Sequence, residues 1–133
     1  MKNNLRLVMF HIEEAAKEEQ ILALCVRLGF SAKRLSQADI NTSVGELAGL
    51  EMDKRVRGTQ QEVKAPLVCR LPEVMIFSGL DEDELERFLQ AYRKEGILPV
   101  GLKAVITPYN VNWSLYHLTE ELARERAAMQ SGK

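Results

Sequence analysis

The sequence predicts an α/β fold made of two β-α-β-α repeats, with a mainly parallel four-stranded sheet, or two small sheets, and helices packed on it. Two observations carry this prediction. Val8-Met9-Phe10 and Val74-Met75-Ile76-Phe77 are strand-like runs, each followed by an acidic helix entry, an amphipathic helix, a glycine and another strand-like run. The offset between equivalent positions is nearly constant, from Val8 and Val74 through to Asn41 and Asn110. Helices between strands imply right-handed crossovers, which favour parallel pairing.

The first repeat is assigned to residues 1–51. Residues 5–12 are apolar and β-prone and predict a buried strand. Glu13 and Glu14 begin the helix, because carboxylates near the first turn complement the positive end of the helix dipole. Gly29 is suited to end that helix in a left-handed conformation. Its apolar stripe at i, i+3, i+4 and i+7 comprises Ile21, Leu24, Cys25 and Leu28.

A short strand and a short helix complete this repeat. Residues 32–36 predict the strand, and Asp39 or Asn41 is expected to cap a helix that runs through Leu50. Because Cys25 lies on the apolar stripe of the preceding helix, the sequence favours a buried, unreactive thiol there.

Residues 52–71 are assigned to a polar linker, since they show no sustained hydrophobic period. The segment carries a small basic group, formed by Lys54, Arg55 and Arg57. A solvated loop is the favoured interpretation of that group, and contact with nucleic acid through residues 54–70 is the alternative.

The second repeat, residues 72–130, is the clearer copy. A strand at 74–77 leads through a turn at Ser78-Gly79 to Asp81, which is expected to cap a helix together with Glu84 in a capping box. Gly96 ends that helix. Its buried stripe is predicted to contain Leu85, Phe88, Leu89 and Tyr92.

A last strand and helix follow. Residues 100–107 alternate between more and less apolar positions, which predicts a strand that Pro108 breaks. Asn110 is expected to cap the final helix. That helix places Leu115, Leu118 and Leu122 at helical spacing.

The composition narrows the classes of function. The 133 residues are 46% hydrophobic and 28% charged, with a formal net charge of −1, so the chain lacks the basic surplus of a dedicated nucleic-acid binder. No apolar run approaches the roughly 18 residues of a membrane span, and no signal-peptide pattern opens the sequence. A cytoplasmic protein without membrane contact is therefore the expectation.

The best candidate site lies where the second repeat's strands end, because parallel strands gather their following loops at one edge of the sheet. Each residue there also has a structural explanation, such as a turn at Ser78-Gly79, a helix cap at Asn110 or packing by Trp113. The candidate ligand-binding residues are Ser78, Gly79, Thr107, Tyr109, Asn110 and Trp113.

Motifs for other chemistry are missing from the sequence. It contains no glycine-rich nucleotide-binding loop, and four consecutive carboxylates at 81–84 disfavour phosphate at that helix entry. His11 and His117 belong to different repeats, and no residues have metal-ligand spacing. We therefore expect no cofactor, no metal and no catalytic residues, and an enzyme is disfavoured.

The second half contains three further motifs, Phe77-Ser78-Gly79-Leu80, Gly101-Leu102-Lys103-Ala104-Val105 and Thr107-Pro108-x-Asn110-x-x-Trp113. Through these motifs it resembles a family of bacterial domains of unknown function. The resemblance covers residues 72–125, and Gly45-x-Leu47-Ala48-Gly49 resembles the segment that often precedes that domain. It implies a fold and a domain boundary but no activity.

The leading hypothesis for function is a non-catalytic module that binds a protein partner or a small molecule. Trp113, Tyr109 and Asn110 would supply stacking and hydrogen bonds. One alternative is a self-associating structural or regulatory protein, a homodimer formed through an open sheet edge. The other is weak nucleic-acid association through the basic loop.

Overall fold

A computed structural model describes residues 6–50 and 65–131 of the chain. Most of the predicted linker, including Lys54, Arg55 and Arg57, lies outside the described residues. The chain divides into two compact units, Met1–Leu35 with Glu73–Val105 and Ser36–Pro72 with Ile106–Lys133. We call them the sheet unit and the loop-helix unit.

The sheet unit is a mixed α/β layer with one four-stranded sheet in the order β2-β1-β3-β4. The pairs β1-β2 and β3-β4 are parallel, as predicted, and the central pair β1-β3 is antiparallel. The sheet is therefore mostly parallel. The strands are β1 (Leu7–His11), β2 (Ser31–Arg34), β3 (Val74–Ser78) and β4 (Lys103–Val105).

Four α-helices lie in the described part of the chain. Two belong to the sheet unit and two to the loop-helix unit, and none of them is long and apolar enough to cross a membrane. They are α1 (Ala15–Leu28), α2 (Val44–Leu47), α3 (Glu82–Lys94) and α4 (Leu115–Ser131).

The core of the sheet unit lies between the sheet and its two helices. Phe88 of α3 is fully buried and contacts the rings of Phe30, Phe77 and Tyr92. From α1, Ile21, Leu24 and Cys25 are buried in the same cluster, as the helical stripe predicts. Burial raises the pKa of Cys25 to about 11, so its thiol stays protonated at neutral pH.

The predicted ends of these helices are confirmed. Gly29 follows α1 with a φ of 84°, in the left-handed region that glycine tolerates. Asp81 and Glu84 form the predicted capping box at α3, in which each side chain accepts the other's backbone N–H at 2.8 and 2.9 Å.

The predicted cap of α2 is wrong. Ser43 caps that helix by accepting a hydrogen bond from the Glu46 N–H, and Gly49 then takes a φ of 78° just after it. Asp39 instead accepts the Ser36 N–H at 2.9 Å and closes a 3-10 turn at Gln37–Asp39. Asp39 cannot cap α2 because its carboxylate closes this earlier turn.

A lysine is buried in the sheet unit. Lys17 on α1 is 7% exposed, and its ammonium donates to the Glu73 carboxylate and to the Pro99 carbonyl, both at 2.9 Å. Burial acts to raise the pKa of Glu73. Hydrogen bonds from the Glu13 N–H and from Lys17, with the positive charge of Lys17, outweigh burial and hold that pKa below its ordinary value.

We expect Glu73→Gln to lower the free energy of unfolding by about 1–2 kcal/mol at pH 7 and to flatten its dependence on acid pH. Because the folded pKa of Glu73 is depressed, its contribution is present above 4.5, the ordinary value, and is lost as the pH falls through the folded pKa. Urea unfolding between pH 7 and pH 3 measures this. Glu19→Gln, at an exposed position on α1, is the control, and identical pH slopes for the two variants would contradict the assignment.

Candidate functional site

The six predicted site residues fall into the two compact units. Ser78 and Gly79 belong to the sheet unit, and Thr107, Tyr109, Asn110 and Trp113 belong to the loop-helix unit. The two groups are therefore described separately.

Ser78 and Gly79 form the exit from β3. Ser78 is the last residue of the strand, is 6% exposed and pairs with Leu7 of β1. Gly79 has a φ of 83°, which a residue with a side chain rarely adopts. These observations give both residues a structural role in turning the chain toward the Asp81 cap.

Thr107 and Asn110 close a tight turn between β4 and α4. The side-chain oxygen of Asn110 accepts the Thr107 N–H at 3.0 Å, and the Thr107 hydroxyl accepts the N–H groups of Tyr109 and Asn110 at 3.1 and 3.2 Å. The prediction that Asn110 caps α4 is therefore wrong. Ser114 performs that role, since its hydroxyl accepts the His117 N–H at 3.0 Å.

Three rings form a row on and beside this turn, and we call Tyr109, Trp113 and His117 the aromatic cluster. The Tyr109 and Trp113 centroids lie 5.4 Å apart at an interplanar angle of 63°, an edge-to-face contact. His117 stacks on Trp113 with centroids 4.2 Å apart and planes 20° from parallel. Tyr109 is 81% exposed, so a large apolar surface faces solvent at one end of the row.

Backbone hydrogen bonds fix the segment that carries Trp113. Its carbonyl accepts the Val44 N–H at 2.9 Å, and the Val111 carbonyl accepts the Gly45 N–H at 2.9 Å. Ser43 and Ser114 form an antiparallel bridge between the same segments. Because the backbone is held on both sides of Trp113, the cluster presents its rings without relying on a loose loop.

His117 was missed as a site residue by the sequence reasoning, which placed it only in the last helix. The available signal was its position four residues after Trp113, with Tyr109 four residues before. Helical spacing brings side chains together only within a helix, and here α4 begins at Leu115, after Trp113. The Glu121 carboxylate lies 3.7 Å from Nε2 of the imidazole, and it also accepts a hydrogen bond from Arg124 at 2.7 Å.

Asn112 adds an unusual polar group beside the cluster. Its side-chain oxygen is buried and has no hydrogen-bond partner among the described residues. An unsatisfied buried acceptor costs about 1–3 kcal/mol.

The described residues offer little for metal or redox chemistry. No group of three or more His, Cys, Asp or Glu side chains in 6–50 and 65–131 is arranged to hold a metal ion. His11 donates from Nδ1 to the Leu35 carbonyl at 3.2 Å within the sheet unit. The rings of the loop-helix unit stack, and the side chains of its turn accept backbone hydrogen bonds.

Comparison with known families supports the resemblance seen in the sequence. Residues 73–129 match the family model of a domain of unknown function (DUF3783). The match begins just before β3 and includes all six predicted site residues and His117. No curated protein and no solved structure matches the chain.

Proposed function

We propose that this chain is a non-catalytic recognition module that binds an extended, proline-bearing segment of a protein partner through the aromatic cluster. The observation that carries the proposal is a row of three rings on a backbone-fixed segment, with Tyr109 81% exposed. The few residues that dominate binding energy at protein interfaces are enriched in tyrosine and tryptophan. Proline-rich segments dock on surface aromatic rings because their backbone loses little entropy on binding.

We also propose that the chain arose by internal duplication. If it did, comparison of the two halves shows whether the fold needs the rings of the aromatic cluster. In the sheet unit, β3 begins as many residues after the start of β1 as α3 begins after the start of α1. We call this sequence separation the step between the two copies. The β1-β3 pairing centres on Met9 opposite Ile76, two residues separated by that same step. An antiparallel pair centred on equivalent residues is what a pseudo-two-fold relation between two copies requires.

Ion pairs in the sheet unit support the same relation. Lys17 pairs with Glu73, and Glu84 pairs with Arg6. The step that relates Met9 to Ile76 also relates Lys17 to Glu84 and Arg6 to Glu73. The two pairs therefore occupy equivalent positions with reversed charge.

The loop-helix unit supports the duplication independently, with a slightly longer step. Val44 donates to the Trp113 carbonyl while Leu115 donates to the Thr42 carbonyl, both at 2.9 Å. When Thr42 is aligned with Trp113 and Val44 with Leu115, the two hydrogen bonds have equivalent donors and equivalent acceptors. In the same alignment, the bond from Gly45 to the Val111 carbonyl is equivalent to the bond from Tyr116 to the Ile40 carbonyl.

Comparison of the two proposed copies indicates which side chains the turn and helix do not need in order to fold. The positions equivalent to Tyr109, Trp113 and His117 are Ala38, Thr42 and Glu46. The same turn-and-helix backbone thus forms around small or polar side chains. Because the fold does not require these aromatic side chains, we attribute the aromatic cluster to a function. Its exposure to solvent favours binding as that function.

Charge favours a protein partner over nucleic acid. The chain has a net charge of −1, and the Glu121 carboxylate lies 3.7 Å from Nε2 of His117 in the cluster. Affinity for nucleic acid comes largely from Lys and Arg side chains that neutralise its phosphates. Self-association and contact through the basic loop stay predictions from the sequence.

The experiment is a selection of random displayed peptides on the whole chain. We expect enrichment of proline-bearing sequences whose binding changes the fluorescence of Trp113, the single tryptophan of the chain. Measured by anisotropy of a labelled selected peptide, Trp113→Thr and Tyr109→Ala should each weaken binding at least about tenfold, because hot-spot truncation removes more than about 1.4 kcal/mol.

Val26→Thr is the matched control, since Val26 is 77% exposed on the sheet unit. It should leave the affinity unchanged. Selected peptides that lack proline would overturn the ligand class, and equal affinities for wild type and Trp113→Thr would overturn the site.

A further inference from the structure

We infer that the sheet unit carries a second, separate site, a cavity beside α3 and β4 that binds a small amphipathic carboxylate, an acyl chain with an anionic head. This inference goes beyond the proposed function, because it involves none of the residues of the aromatic cluster. It stands on the volume of the cavity, its apolar lining and the two cations that border it.

The cavity has a volume of about 190 Å³, well above the roughly 10–15 Å³ that one water molecule needs on the same measure. Its apolar lining includes Met75 and Val100, both almost fully buried, together with Leu89 and Pro99. A second apolar groove of about 240 Å³ shares Leu89 and Lys103 with it and extends along β4. Water in such a cavity finds few hydrogen-bond partners, so an alkyl chain that displaces it gains free energy.

Two positive side chains, Arg93 and Lys103, line the same cavity. The Lys103 ammonium is held there by a hydrogen bond of 2.7 Å to the Val100 carbonyl. No ion pair links the Arg93 guanidinium to another side chain within the described part of the chain. A carboxylate at the cavity mouth would therefore gain charge-assisted hydrogen bonds.

The described lining of this cavity does not repel an anion. Tyr92, a lining residue, donates its hydroxyl to the Leu98 carbonyl at 2.6 Å and is influenced by the charge of Glu73. Glu73 is paired with the Lys17 ammonium at 2.9 Å, so a positive charge accompanies its negative one. Among the described residues that line the cavity, none carries a carboxylate.

The first half of the chain lacks these features at equivalent positions. Val26 and Ala32 stand where Arg93 and Lys103 stand in the second half, and Ala32 and Lys103 hold matching places in the two parallel strand pairs. The connection that leads to Lys103 from the end of α3 is also longer than its counterpart before Ala32, and it supplies Pro99 and Val100 to the lining. The first half therefore forms the same helix-to-strand connection without the two cations and with a shorter loop, so folding does not require these features.

The test is calorimetric titration of the whole chain with octanoate, octanol and octylammonium. We expect saturable octanoate binding with a dissociation constant below about 1 mM, weaker binding of octanol and none of octylammonium. Arg93→Val and Lys103→Ala, which restore the first half's residues, should each weaken octanoate at least about tenfold and leave octanol unchanged. Arg87→Val, exposed on the same helix and outside the cavity lining, is the control.

A cavity-filling variant, Leu89→Trp, should abolish octanoate binding with its circular dichroism spectrum preserved. Trp113→Thr should bind octanoate normally, which keeps this site distinct from the aromatic cluster. The inference is overturned if octanoate shows no saturable binding, if octylammonium binds equally well or if Arg93→Val binds octanoate like wild type. Should Leu89→Trp fail to fold, the Arg93→Val comparison alone decides.

Discussion

Replacing Lys17 by glutamate is expected to lower the free energy of unfolding by about 3–5 kcal/mol, because it buries an uncompensated charge. Lys17 is 7% exposed and donates to both Glu73 and the Pro99 carbonyl. A glutamate at position 17 would place a second carboxylate against Glu73 and leave that carbonyl without its donor. Urea unfolding at pH 7 measures the loss.

The reversed pair supplies the control for this variant. Glu73→Arg in the Lys17→Glu background would reproduce the polarity of the Arg6–Glu84 pair, which stands at the equivalent position under the proposed duplication. We expect the double variant to recover most of the lost stability, although Glu73→Arg alone is destabilising. A double-mutant cycle with no favourable coupling would contradict the proposed equivalence of the two pairs.

Phe88→Ala is expected to cost about 3–5 kcal/mol, the range for removing a large aromatic side chain from a core. Phe88 is fully buried and contacts three other rings, so the cavity left behind cannot be filled by small shifts. The measurement is again the free energy of unfolding in urea. Leu98→Ala, at a position that is 63% exposed, should change it by less than about 0.5 kcal/mol.

A loss below about 1 kcal/mol for Phe88→Ala would mean that this side chain does not organise the core. The result would also weaken the assignment of α3 as the helix that packs on β3.

Local signals in the sequence predicted the local structure well. The Asp81–Glu84 capping box and the glycine after α1 were predicted because each depends on residues within one helical turn. The alternation before Pro108 correctly indicated that Leu102 and Ala104 lie further inside than Lys103 and Val105.

The errors arose where two local structures share one sequence pattern. An Asp or Asn shortly before a helix fits a cap or a preceding turn equally well, because both use the same carboxylate or amide oxygen. Asp39 and Asn110 close turns, and Ser43 and Ser114 cap the helices.

Contacts between residues that are distant in the sequence could not be predicted from the local pattern of residues. The Lys17–Glu73 pair joins two distant parts of the chain, and the antiparallel β1-β3 pairing depends on the packing of the whole unit. The contact between Trp113 and His117 depends on where α4 begins, which the sequence placed too early. Each of these features requires the tertiary structure.

The role of the aromatic cluster is tested by the unfolding free energy of Tyr109→Ala/Trp113→Thr/His117→Glu, which installs the first-half residues that the proposed duplication makes equivalent. If the aromatic cluster serves binding, this variant unfolds cooperatively with a loss below about 2 kcal/mol and binds no selected peptide. A loss above about 3 kcal/mol, comparable to Phe88→Ala, would show that the rings hold the fold together and would contradict the account.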